Sequence, residues 1–269
     1  DYKVIIIDDL STGNIDNINH VINRIDFIKE KVENVNLNML GQVDAVVHLA
    51  AQASVPLSIS DFKNSSTTNL ISTVNIINYC SQNNIPLVYA SSSAIYGDLP
   101  IGSDEVKIVD LLSPYATDKF VMELYAMVAN KLYKLSSIGL RFFNVYGPRQ
   151  DPSSPYSGVI SIFIDRLLMK KGITINGGQQ TRDFIYVNDV VMSIYHSLNL
   201  TINNIICEQV NILTGKSISI DNIAEMLIEE IGVEVEKNYK DLPLGDPLQS
   251  NGTPNKMMDM FESLDRLSL

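Results

Sequence analysis

Short, almost continuously apolar segments alternate with longer amphipathic ones in the first 147 residues, and this alternation restricts the fold more than any other feature of the chain. The strand-like segments are KVIIID (3–8), DAVVHLA (44–50), PLVYASSS (86–93) and LSSIGLRFFNVYG (135–147), and the helix-like ones cover 66–84 and 114–133. Strands that are apolar on both faces are typical of parallel sheets covered by helices on each side. We therefore predict a doubly wound α/β fold that binds ligands beyond the carboxyl ends of its strands.

The pattern changes after residue 147. The segment GPRQDPSSPYSG (147–158) is rich in Pro, Gly and Ser, which indicates a loop. A helix-like stretch, a short strand-like run at 173–176, the stretch TRDFIYVNDVV and a final amphipathic helix follow it. We interpret residues 148–269 as a smaller C-terminal α/β lobe that faces the substrate and is interleaved with the sheet of residues 1–147.

The charge balance and the cysteines disfavour several classes of function. A net charge of −11 argues against general binding to nucleic acid or to an anionic membrane surface. The longest apolar runs are strand-sized and too short to cross a bilayer. Cys80 and Cys207 are far apart in the chain and have no metal-ligand spacing. We expect a cytoplasmic protein with reduced thiols and no metal site.

Tyr115 and Lys119 are four residues apart in the predicted helix 114–133, so their side chains share one helix face. Ser113 and Pro114 suit the N-cap and first turn. A free tyrosine titrates near ~10, but a cationic neighbour lowers that pKa and would let the phenolate accept a proton. The same spacing also arises by chance on amphipathic helices, so its meaning depends on the residues around it.

Small or polar residues follow three of the predicted strands. Serines at 91–93 end one strand on the expected ligand side, where they form either part of a site or hydrogen bonds within a turn. Asp8 ends another strand and is placed to accept the hydroxyls of a ribose, or else to cap a turn. Small residues at 49–51 would let a dinucleotide approach the backbone, and we interpret His48 as a core histidine.

Six motifs, in order, resemble the extended short-chain dehydrogenase/reductase family, and within it the NAD-dependent nucleotide-sugar epimerases. They are VIIIDDLSTGN, HLAAQASVPLS, SSSAIYGD, SPYATDK, GLRFFNVYGPRQDP and TRDFIYVNDV, and the resemblance spans residue 3 to about 256. It implies a Rossmann domain that binds NAD at 1–147 and a nucleotide-sugar lobe at 148–269. It also implies a homodimer that forms through two helices of each subunit.

The resemblance implies roles for individual residues. Tyr115 would take the proton of the sugar 4-hydroxyl while hydride passes from C4 to NAD, and the 4-keto sugar would turn over before hydride returns to its other face. Lys119 would hold the nicotinamide ribose, and Ser92, with Ser93 beside it, would supply the active hydroxyl. The residues implied in cofactor binding are Asp8, Leu49, Ala50, Ala51, Asn69, Tyr115 and Lys119.

The same resemblance narrows the substrate. Residues that would contact a UDP-sugar are Ser54, Ser92, Ser93, Asn144, Arg182 and Ser250, with Arg149 offered as a replacement for an arginine that the family carries before Gly245-Asp246. Dehydratases of the family carry T-D-E where this chain has Ser92-Ser93-Ala94, which favours epimerisation. A serine at position 250 leaves room for a 2-acetamido group, and SVPLS (54–58) resembles epimerases of N-acetylhexosamines or uronic acids.

We therefore predict C4 epimerisation of UDP-N-acetylglucosamine and UDP-N-acetylgalactosamine. Another family activity, dehydratase or reductase, and a catalytically impaired nucleotide-binding relative are the alternatives. The last is motivated by the glycine-rich turn G-x-x-G-x-x-G, which the family carries after its first strand and which this sequence lacks. We expect the first strand and that turn to be absent from this chain, and we interpret the polypeptide as incomplete.

Overall fold

The computed structural model describes residues 2–154, 157–243 and 245–261; the end of the predicted lobe, 262–269, lies outside them. The strands are β1 Val4–Asp8, β2 Ile25–Lys29, β3 Val46–His48, β4 Leu87–Ser92, β5 Ser137–Phe142, β6 Asn144–Tyr146, β7 Ile173–Asn176, β8 Thr181–Tyr186, β9 Cys207–Ile212, β10 Ser217–Ser219 and β11 Lys237–Lys240. The α-helices are α1 Val55–Ser60, α2 Phe62–Ser66, α3 Ser72–Asn83, α4 Pro114–Tyr133, α5 Val159–Leu168, α6 Val187–Asn203, α7 Ile220–Ile231 and α8 Asn255–Met260.

A parallel four-stranded sheet, in the order β3-β4-β5-β9, forms the centre of the molecule. A second parallel pair joins β1 to β2. The predicted parallel α/β fold is therefore confirmed. Although β9 comes from the second half of the chain, it pairs with β5 in register, with Asn211 opposite Arg141.

There are two smaller sheets, β10-β8-β6 and β11-β7. All of their strands except β6 come from residues 148–269. Here the structure divides a strand that we predicted as one: β5 ends at Phe142 in the central sheet, and β6 starts at Asn144 in the sheet of β8. The residue between them, Phe143, is buried beside Ile95, Tyr96 and Leu213. One apolar run thus serves two sheets.

Helices cover both faces of the central sheet because alternate residues of its strands point to opposite sides. Leu87 and Tyr89 pack in one cluster with Met122 of α4, whereas Val88 packs in another with Val190 of α6. A third cluster, centred on Phe163, Ile173, Phe184 and Ala224, forms the core of the smaller sheets. None of the helices within the described residues combines the length and apolarity needed to cross a bilayer.

The N-terminal end of α4 follows from its local sequence. The Ser113 hydroxyl accepts a hydrogen bond from the Ala116 N–H at 3.2 Å, and Pro114 occupies the first helical position. The helix ends where Lys134 adopts a left-handed conformation with φ of 61°. The predicted bounds, 114–133, agree with these signals. By contrast, the predicted helix 66–84 is interrupted by a π-helical turn at Thr67–Ile71.

Candidate active site

A cavity of about 200 Å³ opens at the carboxyl ends of β4 and β5. Its lining includes the turn after β4, the residues that follow β5, the start of α4 and the segment 245–251. Of the predicted site residues, Ser92, Ser93, Tyr115, Asn144, Arg182 and Ser250 line it. The structure therefore brings together six residues that are separated by up to 158 positions in the sequence.

Tyr115 and Lys119 lie on one face of α4, as their spacing predicts. The Lys119 ammonium lies 5.8 Å from the centre of the Tyr115 ring and donates a hydrogen bond to the Ala90 carbonyl of β4 at 2.7 Å. The Ser92 hydroxyl accepts a hydrogen bond from the Ala94 N–H at 3.1 Å, which caps the turn after β4. These contacts place a serine, a phenol and an ammonium group at one strand end.

The electrostatics of this group differ from our expectation that Lys119 lowers the pKa of Tyr115. Burial raises the pKa of the Tyr115 phenol, and a hydrogen bond with Ser92 offsets this only in part. Burial also lowers the pKa of Lys119 to about 8, with Asp118 acting in the opposite direction. Desolvation sets the direction of both shifts, because the phenol and the ammonium are both buried and each loses the hydration that favours its charged form.

The predicted cofactor residues form a more open region. Asp8 is exposed at the end of β1, where its carboxylate accepts a hydrogen bond from the Leu10 N–H at 2.7 Å. Leu49 is 49% exposed directly after β3 and is followed by Ala50 and Ala51. A free carboxylate edge and an exposed apolar surface at strand ends fit a ribose and the flat rings of a dinucleotide.

Asn69 is placed differently from what we predicted for a residue that contacts the cofactor. It is fully buried in the π-helical turn, where its side chain accepts a hydrogen bond from the Gln52 N–H at 2.8 Å and donates one to the Gln52 carbonyl at 3.0 Å. Its amide is thus saturated by the backbone that follows residues 49–51. The structure supports a role in holding that segment in place.

His48 is a core residue, as we interpreted it from the sequence. Its Nε2 lies 2.9 Å from the Thr73 hydroxyl, and burial, reinforced by the charge of Lys119, lowers its pKa to about 3. The ring is therefore neutral near pH 7. His48 is buried, whereas the next two residues, Leu49 and Ala50, are exposed.

On the substrate side, Arg182 is paired with a residue that we did not expect. Arg182 bonds the Asp246 carboxylate at 2.5 Å and the Thr181 carbonyl at 2.8 Å. The Asp183 carboxylate instead accepts hydrogen bonds from the N–H and the hydroxyl of Thr214. Adjacent side chains of a strand point to opposite faces, which is why Asp183 does not reach Arg182.

Two other predicted substrate residues do not line the cavity. Ser54 caps α1 by accepting a hydrogen bond from the Leu57 N–H at 3.2 Å, while its neighbours Ala53 and Val55 reach the cavity. Arg149 is exposed and donates a hydrogen bond to the Asn17 carbonyl at 3.0 Å. Arg149 therefore does not replace a cavity arginine in this structure.

Sequence reasoning missed a buried ion pair beneath the cavity, formed by Glu123 of α4 and Arg141 of β5. A signal for it was present, since both charges lie in otherwise apolar segments. Glu123 is also eight residues after Tyr115, and therefore on the same helix face. Nothing in the sequence joins the two as partners, because they belong to different elements.

Comparisons with known proteins show the family of the chain. The family described as the NAD dependent epimerase/dehydratase family matches residues 1–212. A Methanocaldococcus jannaschii protein classed with the UDP-glucose 4-epimerases is 39% identical over 247 residues, which are 88% of this chain and 77% of that protein. The chain is thus similar to nucleotide-sugar enzymes along most of its length.

Two solved structures are similar in fold and sequence. UDP-N-acetylglucosamine 4-epimerase from Methanobrevibacter ruminantium, in complex with UDP-N-acetylmuramic acid, has a TM-score of 0.89 and 33% identity, and the match covers 98% of this chain and 85% of that one. UDP-glucuronic acid 4-epimerase from Bacillus cereus, in complex with UDP-glucuronic acid and NAD, has a TM-score of 0.88 and 31% identity over 99% and 87% of the two chains.

Proposed function

The chain belongs to the NAD dependent epimerase/dehydratase family and is an NAD-dependent UDP-sugar 4-epimerase, and we propose that it interconverts UDP-N-acetylglucosamine and UDP-N-acetylgalactosamine. The observation that carries this choice of substrate is the placement of Ser250 in the cavity wall. A second observation, Ala94 in the turn after β4, favours epimerisation over dehydration, because an alanine offers no acid or base for the loss of water.

Ser250 is held firmly, although its side chain is small. Its N–H donates a hydrogen bond to the Thr181 carbonyl at 3.1 Å, and its carbonyl accepts one from the Ser217 hydroxyl at 3.1 Å. With both backbone groups tied, residue 250 cannot move far, so the size of its side chain determines the space at that point of the wall. A serine there leaves room for an acetamido group, and a large residue would close it.

We assign the proton transfer to Tyr115, which accepts the proton of the sugar 4-hydroxyl and returns it to the inverted product. NAD, when bound, supplies the chemistry of taking hydride from C4 and giving it back, so there is no net redox change. Ser92 favours the phenolate of Tyr115 through its hydrogen bond and is placed to orient the 4-hydroxyl. Lys119 keeps α4 fixed against β4 through Ala90.

For the sugar diphosphate we assign Arg182, with Asn144 beside it in the cavity wall. The guanidinium keeps N–H groups that its bonds to Asp246 and Thr181 do not use, because those bonds involve only one contact each from Nη2 and Nη1. A planar, oriented guanidinium is well suited to phosphate oxygens.

The substrate assignment is tested by measuring kcat/KM for the C4 epimerisation of UDP-N-acetylglucosamine, UDP-glucose and UDP-glucuronic acid. We expect the acetamido sugar to be preferred. In Ser250→Tyr we expect activity on UDP-N-acetylglucosamine to fall at least tenfold more than activity on UDP-glucose. Ser250→Ala, which keeps residue 250 small and its backbone hydrogen bonds intact, is the control. A wild type that prefers UDP-glucose or UDP-glucuronic acid would overturn the assignment.

We also propose a homodimer that forms through α3 and α4. The outer face of α4 exposes large apolar side chains, namely Leu124, Tyr125, Val128, Leu132 and Tyr133. A stripe of this kind along one helix is typical of helix–helix association. Light scattering should give twice the chain mass, and Val128→Glu together with Leu124→Glu should give a monomer.

We also propose the cytoplasm as the compartment of the protein, because Cys80 and Cys207 are free thiols.

A further inference from the structure

Three consecutive residues at the end of β4 each face a residue of α4. The Ala90 carbonyl accepts a hydrogen bond from Lys119 Nζ at 2.7 Å, and the Ser91 hydroxyl donates one to Glu123 Oε1 at 2.6 Å. Ser92 lines the same cavity as Tyr115 and lowers the pKa of its phenol. The three helix residues are spaced by four, so they form one row on the face of α4 that meets the strand. Two of these helix residues already have assigned roles, and the third, Glu123, has none.

Glu123 is engaged on both of its carboxylate oxygens. Arg141 of β5 donates to it through Nε at 2.9 Å and through Nη2 at 2.6 Å, which is a bidentate pair. Glu123 is 1% exposed and Arg141 is 6% exposed. A buried pair of this kind adds little stability compared with an apolar pair of the same volume, because both charges lose their hydration. Stability alone therefore does not account for it.

The pair continues into the floor of the cavity. Arg141 Nη1 donates to the Tyr96 hydroxyl at 2.7 Å, and that hydroxyl lies 2.7 Å from Asn211 Oδ1. Asn211 in turn donates through Nδ2 to the carbonyls of Gly102 and Thr253. Ser91 precedes Ser92, Arg141 precedes Phe142, and Tyr96 itself lines the cavity. The chain of hydrogen bonds thus fixes the backbone on each side of the residues that face the substrate.

We propose that Glu123 and Arg141 are positioning residues for the epimerase reaction: they hold Ser91 and Tyr96, which flank Ser92 in the sequence, and so keep the Ser92 hydroxyl against the Tyr115 phenol. The inference rests on the proposed roles of Ser92 and Tyr115. Neither Glu123 nor Arg141 lines the cavity, and they act only through Ser91 and Tyr96. A displacement of about 1 Å at a reacting group can cost 100-fold in rate, so a small shift of β4 is enough for a large effect.

The test uses a double variant, Glu123→Leu with Arg141→Met, which replaces the pair by apolar side chains and leaves no buried charge unpaired. We expect thermal unfolding close to wild type and a KM for the UDP-sugar within about threefold, but a kcat lower by 10- to 100-fold. The exposed pair Lys237–Glu225 provides the control: Lys237→Met with Glu225→Leu should leave kcat unchanged.

The pH profile distinguishes positioning from a merely structural role. Because the Ser92 hydrogen bond lowers the pKa of Tyr115, its loss should move the rising limb of kcat to higher pH. The other titratable or charged groups that share the cavity or the helix face with Tyr115 are Lys119, Tyr96, Arg182 and Asp246. The double variant substitutes none of them. Burial raises the pKa of Tyr96 to about 12, and loss of Arg141, which lowers that pKa, keeps Tyr96 neutral.

Ser91→Ala gives a second, milder test that keeps the ion pair. It removes only the hydroxyl that links β4 to Glu123, and we expect a threefold to tenfold loss of kcat with the same alkaline shift. Wild-type kcat and pH profile in a folded double variant, or in Ser91→Ala if the double variant does not fold, would overturn the inference. A crystal structure adds a readout that needs no activity. We expect Ser92 Oγ to move by more than about 0.5 Å relative to Tyr115, and an unmoved Ser92 would refute positioning even if the proposed reaction itself proved wrong.

Discussion

The carboxyl end of β4 and the ends of β1 and β3 are built in contrasting ways. At the end of β4, Ser91 and Ser92 are buried, the Ser91 hydroxyl bonds Glu123 of α4, and the Ser92 hydroxyl bonds the Ala94 N–H. At the ends of β1 and β3, Asp8 and Leu49 are exposed to solvent. The protein's own contacts therefore fix the groups assigned to proton transfer before any ligand binds, which is what catalysis by positioning requires. In the region assigned to NAD, Asp8 and Leu49 have exposed side chains that are available to a ligand.

The largest effect should come from Tyr115→Phe. This change removes the proton-accepting group beside the carboxyl end of β4 and leaves the region at the ends of β1 and β3 intact. We expect kcat to fall by about 10²- to 10⁴-fold, the usual contribution of a positioned acid–base group, with unchanged NAD content. Product formation is followed by chromatography of the UDP-sugars, and bound NAD by its release on denaturation.

Tyr125→Phe is the matched control for this change, because Tyr125 lies on the same helix but is 47% exposed. It should leave turnover at the wild-type level. If Tyr115→Phe also kept turnover within a few-fold of wild type, another group would have to accept the proton. The buried contacts at the end of β4 would then not explain proton transfer.

His48 lies at the border of the two regions, and its titration tests how dry the interior behind β3 is. The folded pKa of about 3 lies below the ordinary value of about 6.5. In the unfolded chain the ring takes up a proton as pH falls below about 6.5, whereas in the folded protein it stays neutral. The free energy of unfolding should therefore fall between pH 6.5 and 3, by an amount on the order of a few kcal/mol.

Urea unfolding as a function of pH measures this effect, with His48→Asn as the variant that cannot titrate. The variant should show a shallower loss of stability below pH 6.5. His20→Asn, the same substitution at an exposed histidine, is the control for the substitution itself. Equal slopes in wild type and His48→Asn would mean that water reaches the ring in the folded state.

Asp8→Asn probes the open region alone. A charged hydrogen bond to a ribose hydroxyl contributes about 1.5–3 kcal/mol, so we expect NAD to bind about 10- to 100-fold more weakly while kcat at saturating NAD stays unchanged. Calorimetric titration with NAD gives the affinity. Asp9→Asn alters the adjacent carboxylate, which bonds the Ser11 N–H, and should leave NAD affinity as it is. Equal losses in the two variants would show that only the general negative charge matters.

Local signals in the sequence were enough to predict what local physics determines. Ser113 and Pro114 set the start of α4, and the i, i+4 spacing placed Tyr115 and Lys119 on one face. Contacts between distant segments could not be read in the same way. The π-helical turn depends on Asn69 meeting the backbone of Gln52, and the pairs Arg182–Asp246 and Glu123–Arg141 join separate elements. The sign of the Tyr115 pKa shift was missed for a similar reason, since burial depends on the whole fold.

Arg149→Ala should have the smallest effect, and it tests whether the substrate site extends beyond the residues that line the cavity. Arg149 makes an exposed hydrogen bond to the Asn17 carbonyl, which contributes about 0.5–1.5 kcal/mol at most to local stability. We expect the KM of Arg149→Ala for the UDP-sugar to change by less than about twofold. Arg182→Ala removes the guanidinium from the cavity wall, and it should raise the KM by about tenfold or more. Steady-state kinetics with the two variants side by side make the measurement. A KM rise in Arg149→Ala as large as that in Arg182→Ala would mean that the loop after β6 turns toward the diphosphate when substrate binds, and it would restore the role that the sequence first suggested for Arg149.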